Sequence, residues 1–202
     1  MNKFVLLTVI VVAPLVGAVL AQPPERPKNE DAGATTKPTA DPEEAAAPAK
    51  EHLWLKQLLG EWKSTGKIFT QPGQPAIETA GTEKVRALGD YWMIAEGQAT
   101  IAGMPLQSQM TLGFDPAKSK FVGTWIDSSN GYMWHLEGTL DASGKVLTLI
   151  AEGPCMEDPG KVTKYRDVIE IKSSSHQALT SSIQKPDGTW RTFASAEKKR
   201  VE

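Results

Sequence analysis

Charged residues that alternate with apolar ones are this chain's strongest candidates for chemistry. If segments 78–88, 91–102 and 161–172 are strands, Glu83 shares a face with Ile77, Thr79 and Val85. Glu96 then shares one with Trp92 and Ile94, and Arg166 and Glu170 share one with Val162 and Val168. Were those faces to line a small barrel, Arg166 would lie among three carboxylates, suited to a carboxylate or other anionic headgroup. On the outer face the same residues would be cross-strand ion pairs. The phase of each strand separates the two arrangements. Tryptophans supply a second set: Trp62, Trp92, Trp125, Trp134 and Trp190 fall on five different expected strands, more aromatic surface than a small solid core requires. Trp125 and Trp134 flank Asn130-Gly131 and are expected at an open mouth. The candidate ligand-binding residues are therefore Glu83, Glu96, Trp125, Trp134, Arg166 and Glu170, with Gly60 and Trp62 assigned to a structural floor.

Other reaction chemistry finds no footing. His52, His135 and His176 lack the i, i+4 or His-x-His spacing that converges on zinc, and Cys155 is the single cysteine. No metal site, cofactor or catalytic residue is assigned. There is no Gly-x-Ser-x-Gly elbow and no glycine-rich phosphate loop before a helix, and Ser175 beside His176 is adjacency rather than triad geometry. Acidic neighbours Glu157 and Asp158 oppose thiolate formation at Cys155, which reads as an unreactive thiol or as one half of an intermolecular disulfide.

The elements that would hold these residues follow from periodicity. Trp54, Leu55, Leu58, Leu59 and Trp62 recur at three- and four-residue spacing, which predicts a short helix with one apolar face, stopped at Gly60. Beyond it, nine clusters of turn residues, from Gln71-Pro72-Gly73-Gln74-Pro75 to Pro186-Asp187-Gly188, divide the chain into ten strands. Connections this short join antiparallel neighbours only, and Asn130-Gly131 carries the signal of a tight primed turn. The expected fold is all-β: a single antiparallel up-and-down β-barrel of about ten strands with a short N-terminal capping helix, closure removing two exposed edges. A two-sheet sandwich is the alternative. Trp62 should close the floor, with a cation from Lys198, Lys199 or Arg200 stacked on its ring.

Leu58-x-Gly60-x-Trp62, Gly81-Thr82-Glu83-x-x-Arg86, Leu112-Gly113-Phe114-Asp115-Pro116, Gly123-Thr124-Trp125-x-Asp127-Ser128, Glu137-Gly138-Thr139-Leu140-Asp141 and Tyr165-Arg166-Asp167 form a set that resembles the bacterial domain-of-unknown-function family 1579. The resemblance spans nearly all of residues 51–202 and implies a calycin-like barrel, related to lipocalins, fatty-acid-binding proteins and haem-binding nitrobindins. It implies no activity. The nitrobindins share the Gly-x-Trp opening, but their glycine-rich continuation ending in Tyr-Pro is replaced here by Lys63-Ser64-Thr65-Gly66-Lys67. His176, late in the chain where a haem ligand would be sought, follows Ser173-Ser174-Ser175 and reads as the rim of a hairpin.

The N-terminus reads as an address. Lys3, the apolar run Phe4 to Val19 and the Ala-x-x-Ala ending at Ala21 predict a signal peptide over residues 1–21, with an uncleaved anchor as the alternative. Residues 22–50 contain six prolines and no large apolar residue, which predicts a disordered tether before a barrel domain over 51–202. Of 202 residues, 40% are hydrophobic and 23% charged, enough for one ordinary core, and a net charge of −2 gives no electrostatic pull toward nucleic acid. The expectation is an exported protein, periplasmic or secreted, with no stable membrane span after signal cleavage. Inside its barrel it would hold a small hydrophobic or amphiphilic ligand. Two alternatives stand beside this reading. One is a calycin-like enzyme in which Glu96 or Glu170 acts as base and Arg166 stabilises negative charge; the other is a structural or protein-interaction module of the cell envelope. Nothing in the sequence sets an oligomeric state.

Overall fold

The computed structural model describes residues 47–70 and 73–201. The expected signal peptide, and the expected tether as far as residue 46, lie outside the described residues. Helix α1 (Lys50–Leu55) runs into a 3₁₀ turn (Lys56–Leu58). Ten strands follow: β1 (Gly60–Ile68), β2 (Ile77–Leu88), β3 (Trp92–Ile101), β4 (Met104–Asp115), β5 (Lys120–Asp127), β6 (Trp134–Leu140), β7 (Val146–Pro154), β8 (Val162–Ser173), β9 (His176–Gln184) and β10 (Trp190–Arg200). Each pairs antiparallel with its sequence neighbours, and β1 pairs with β10 from Trp62↔Arg200 to Ile68↔Ala194, so the sheet is a closed up-and-down barrel. No helix among the described residues is long and apolar enough to cross a membrane.

The two ends of the barrel are built differently. At the end where β1 begins and β10 finishes, α1 and the 3₁₀ turn insert Trp54, Leu55 and Leu58 over Trp62, and Leu112, Phe121, Leu136, Leu147 and Leu149 complete a solid core. The Trp62 side chain is 1% exposed, its Nε1 donates to the Leu58 carbonyl at 2.9 Å, and the Arg200 guanidinium lies 4.2 Å from the ring centroid. The expected cation over Trp62 is thus Arg200. Its guanidinium also donates to the Leu59, Gln57 (3.2 Å) and Ser174 (2.8 Å) carbonyls, which sews the helix turn to the last hairpin. Gly60 sits at φ +123°, and a side chain there would collide with that guanidinium, so a glycine is required where the plug turns into the wall. His52 is buried in the plug: Nδ1 accepts from the Ala49 N–H at 2.9 Å while Nε2 donates to the Phe114 carbonyl at 3.0 Å.

The opposite end carries the longer loops, and one of them departs from expectation. Asn130-Gly131 does not form a tight primed turn: neither residue has positive φ, and β5 and β6 are joined by residues 128–133. The Asp127 carboxylate organises this loop instead, accepting from the Ser129 N–H at 2.7 Å, while Asn130 Oδ1 accepts from the Tyr132 N–H at 2.9 Å. Side-chain oxygens therefore set the turn in place of left-handed backbone. A bulge between Thr192 and Ala194 in β10 adds a second irregularity at this end, with the Phe193 carbonyl accepting from the Phe69 N–H at 2.7 Å.

Candidate functional site

Above the solid core the interior is hollow, and the sequence explains why. Ser64, Gly97, Ala99, Ser108 and Ala196 are among the residues lining this level, and none has the volume to reach the barrel axis. Two adjoining chambers result. The inner one, about 200 Å³, rests on Leu58, Val85 and Met93 of the closed half. The outer one, about 360 Å³, opens between the β5–β6 and β7–β8 loops. Met110, Trp125 and Leu179 line both.

Charged groups enter this space at few points. In the inner chamber both Glu83 carboxylate oxygens accept from Lys198 Nζ, at 2.9 and 2.8 Å, and each side chain is 17% exposed. Beside Lys198 in the β9–β10 register lies Gln177, 4% exposed, whose Nε2 has no hydrogen-bond partner. A buried amide donor left in that state costs free energy, on the order of 1 to 3 kcal/mol, which a bound acceptor would recover. In the outer chamber Asp167 on β8 faces Ser181 on β9. Burial pushes the Asp167 carboxyl above the usual carboxylate range, opposed by a hydrogen bond from Ser181 and by the charge of Lys198.

The walls of the outer chamber are aromatic. Trp134 meets Tyr165 edge-on at 4.8 Å and Tyr132 at 4.9 Å, and Tyr165 meets Phe193 at 6.0 Å. Gly153 on β7 seats this row, since a Cβ there would stand 2.5 Å from the Trp134 ring and 2.7 Å from that of Tyr132. The Tyr165 hydroxyl donates to the Pro154 carbonyl at 2.8 Å and accepts from the Met156 N–H at 3.0 Å, which fixes the ring at the mouth. Trp125 Nε1 donates to the Asp127 carboxylate at 3.4 Å.

Of the residues singled out from sequence, Glu83, Trp125 and Trp134 face the interior. Glu96, Arg166 and Glu170 lie on the outer face. Arg166 stacks over Trp190 at 4.5 Å, Glu170 pairs with Lys172 at 2.6 Å, and Glu96 is exposed beside Gln109 of β4. The inward phase that would have gathered Arg166 with three carboxylates is not adopted, because Tyr165, Ile169 and Ile171, the bulkier apolar set, take the interior of β8 and put Arg166 and Glu170, both half-buried, on the outer wall. The same alternation carries Asp167 inside. Sequence reasoning missed Asp167, Ser181, Gln177 and the aromatic partners Tyr165 and Phe193. A comparison of the two faces of β8 held the signal for Asp167, since its face is the more apolar one. Among the described residues no group of His, Cys, Asp and Glu side chains is arranged to hold a metal ion.

A ten-stranded antiparallel meander, closed on itself, plugged by a short helix at one end and hollow at the other, is a calycin-like barrel. The family model described as "Protein of unknown function (DUF1579)" matches residues 47–200, and the chain belongs to that family. Among solved structures it is similar to Rv2717c from M. tuberculosis, with a TM-score of 0.58 and 16% identity over 77% of this chain and 99% of that one. It is also similar to the S-type phycobiliprotein lyase CPES from Guillardia theta, with a TM-score of 0.50 and 10% identity over 77% of this chain and 99% of that one. Both likenesses are of fold. No curated protein matches the chain.

Proposed function

We propose that this protein is an exported binding module that holds one small, partly apolar molecule in the hollow half of its barrel. The observation that carries the reading is the inner chamber, where small side chains leave space above a well-packed floor and a buried Gln177 amide lacks an acceptor. A barrel whose interior served stability alone would gain by filling that space and satisfying that group. The enzyme alternative loses its pairing, since Arg166 stands outside the wall from any carboxylate of the cavity. Export rests on the sequence of residues 1–21, and the proline-rich stretch after it would tether the barrel.

Native mass spectrometry of the protein purified from its own cell envelope tests both parts. The expected result is a chain beginning at Gln22 that carries a one-to-one small-molecule adduct lost on collisional activation. A chain that retains residues 1–21 would remove the cleaved-signal reading. Uniformly empty protein that also fails to take up apolar probes would remove the container.

A further inference from the structure

The charges of the outer chamber have one sign. Asp127 and Asp167 line it, and no lysine or arginine does. Asp127 is already occupied by the Trp125 Nε1, Ser129 and Asn130 donors of its own loop. Among the described residues Asp167 has no ion-pair partner, only the Ser181 hydroxyl and the charge of Lys198. The two cations of β10 that could serve an anionic guest are engaged elsewhere. Lys198 is held by both oxygens of Glu83, and Arg191, opposite Ile183 in the register, by Glu157 at 2.7 Å and the Phe69 carbonyl at 3.2 Å. A carboxylate entering here would meet two aspartates and would have to break an ion pair to find a partner. An ammonium would meet an under-coordinated carboxylate within aromatic walls, an environment that attracts cations through both charge and ring quadrupole.

Two indole rings elsewhere in the molecule already have a cation. Arg200 covers Trp62 and Arg166 covers Trp190, whereas among the described residues none lies over Trp125 or Trp134.

We propose that the guest is a cation: a protonated or quaternary amine on an apolar body, its charged group set against Asp167 among Trp125, Trp134 and Tyr165. This rests on the container reading and names the chemical class it would hold. The apolar body lies past Met110 and Leu179, toward the inner chamber.

Three eight-carbon probes that differ only in headgroup test it, titrated into the protein at pH 7.5 with tryptophan fluorescence as readout: octylammonium, 1-octanol and octanoate. Octylammonium should bind about tenfold or more tighter than octanol, and octanoate more weakly than octanol. Asp167→Asn should abolish the ammonium advantage and leave the octanol affinity within about twofold, which also shows that the variant is folded. Octanol and octylammonium binding equally would overturn the cation assignment while the container stands. Octanoate binding tightest would overturn it in favour of Lys198 as the recognising group. An ammonium advantage that survives Asp167→Asn would sink the role of that carboxylate. Failure of all three probes to bind would remove the container and this inference together.

Discussion

The closed end and the mouth of this barrel are made from the same materials, indole rings beside charged groups, and differ in whether those materials are satisfied. At the closed end Trp62 has its N–H on the Leu58 carbonyl and its ring under Arg200, which itself donates to three backbone carbonyls. Nothing there is left to bind. At the mouth Trp125, Trp134 and Tyr165 surround a chamber of about 360 Å³ in which the half-buried Asp167 has, among the described residues, no ion-pair partner and only the Ser181 hydroxyl and the charge of Lys198 to offset its burial. A saturated site stabilises the fold. An unsaturated one in the same barrel carries a standing free-energy cost that a ligand can relieve, and selection for stability alone would tend to fill or neutralise it.

The contrast breaks most sharply on the tryptophans themselves. Trp62→Ala should lower unfolding free energy by about 3 to 5 kcal/mol, since it empties a fully packed position. Trp134→Ala, which enlarges a space that is already open, should cost less than about 2 kcal/mol. Urea denaturation of both variants checks this, and equal losses would mean that the mouth is as structural as the floor. The arginines give the next largest effect. Arg200→Ala removes a ring contact and three carbonyl bonds, with an expected loss of about 2 to 3 kcal/mol. Arg166→Ala removes only an exterior stack over Trp190 and should cost under about 1 kcal/mol. It should also leave the affinity for all three eight-carbon probes unchanged, whereas any probe-selective loss would place Arg166 in the site after all.

Much of this architecture is legible in the sequence. The helix period from Trp54 to Trp62, the regular turn clusters and the glycine at the plug-to-wall junction specify a capped meander, and the pairing of Trp62 with a terminal cation follows from closure of β1 on β10. Strand alternation also grouped residues onto faces correctly: Glu83 with Val85, Glu96 with Trp92, Arg166 with Glu170. What a period of two does not specify is which face is inside. That choice is made by the balance of apolar bulk across the whole strand and by closure with neighbours, so Arg166 and Asp167, adjacent in sequence, lie on opposite sides of a wall. The Asn130-Gly131 loop was illegible for another reason. Its conformation is set by Asp127 and Asn130 side-chain oxygens, which a dipeptide signal for left-handed backbone does not record.

The smallest expected effect is the one that joins the two halves of the comparison. Burial raises the Asp167 carboxyl above its value in the unfolded chain, where it titrates near 3.8, with the Ser181 hydrogen bond and the charge of Lys198 working against that rise. The folded protein therefore holds this proton more tightly than the unfolded chain. Its contribution to stability is full below the unfolded value and is lost as pH rises through the folded value. The other charged groups of the cavity are Glu83, in its pair with Lys198, and Asp127, held by its loop, and both are unchanged in Asp167→Asn. An asparagine of the same shape does not titrate, so Asp167→Asn should gain on the parent protein as pH rises from 4 to 8, measured as the difference in urea midpoint at each pH. A difference that stays flat, or that favours the parent at pH 8, would mean that the carboxylate is already satisfied without a guest. Octylammonium at 100 times its Kd should then reverse the order at pH 8, because ligand binding to the folded parent is worth about 2.7 kcal/mol under those conditions, while the variant, deprived of the partner for the ammonium, gains less. The mouth would then behave as the floor does, with a cation supplied from outside in the place that Arg200 fills within the chain.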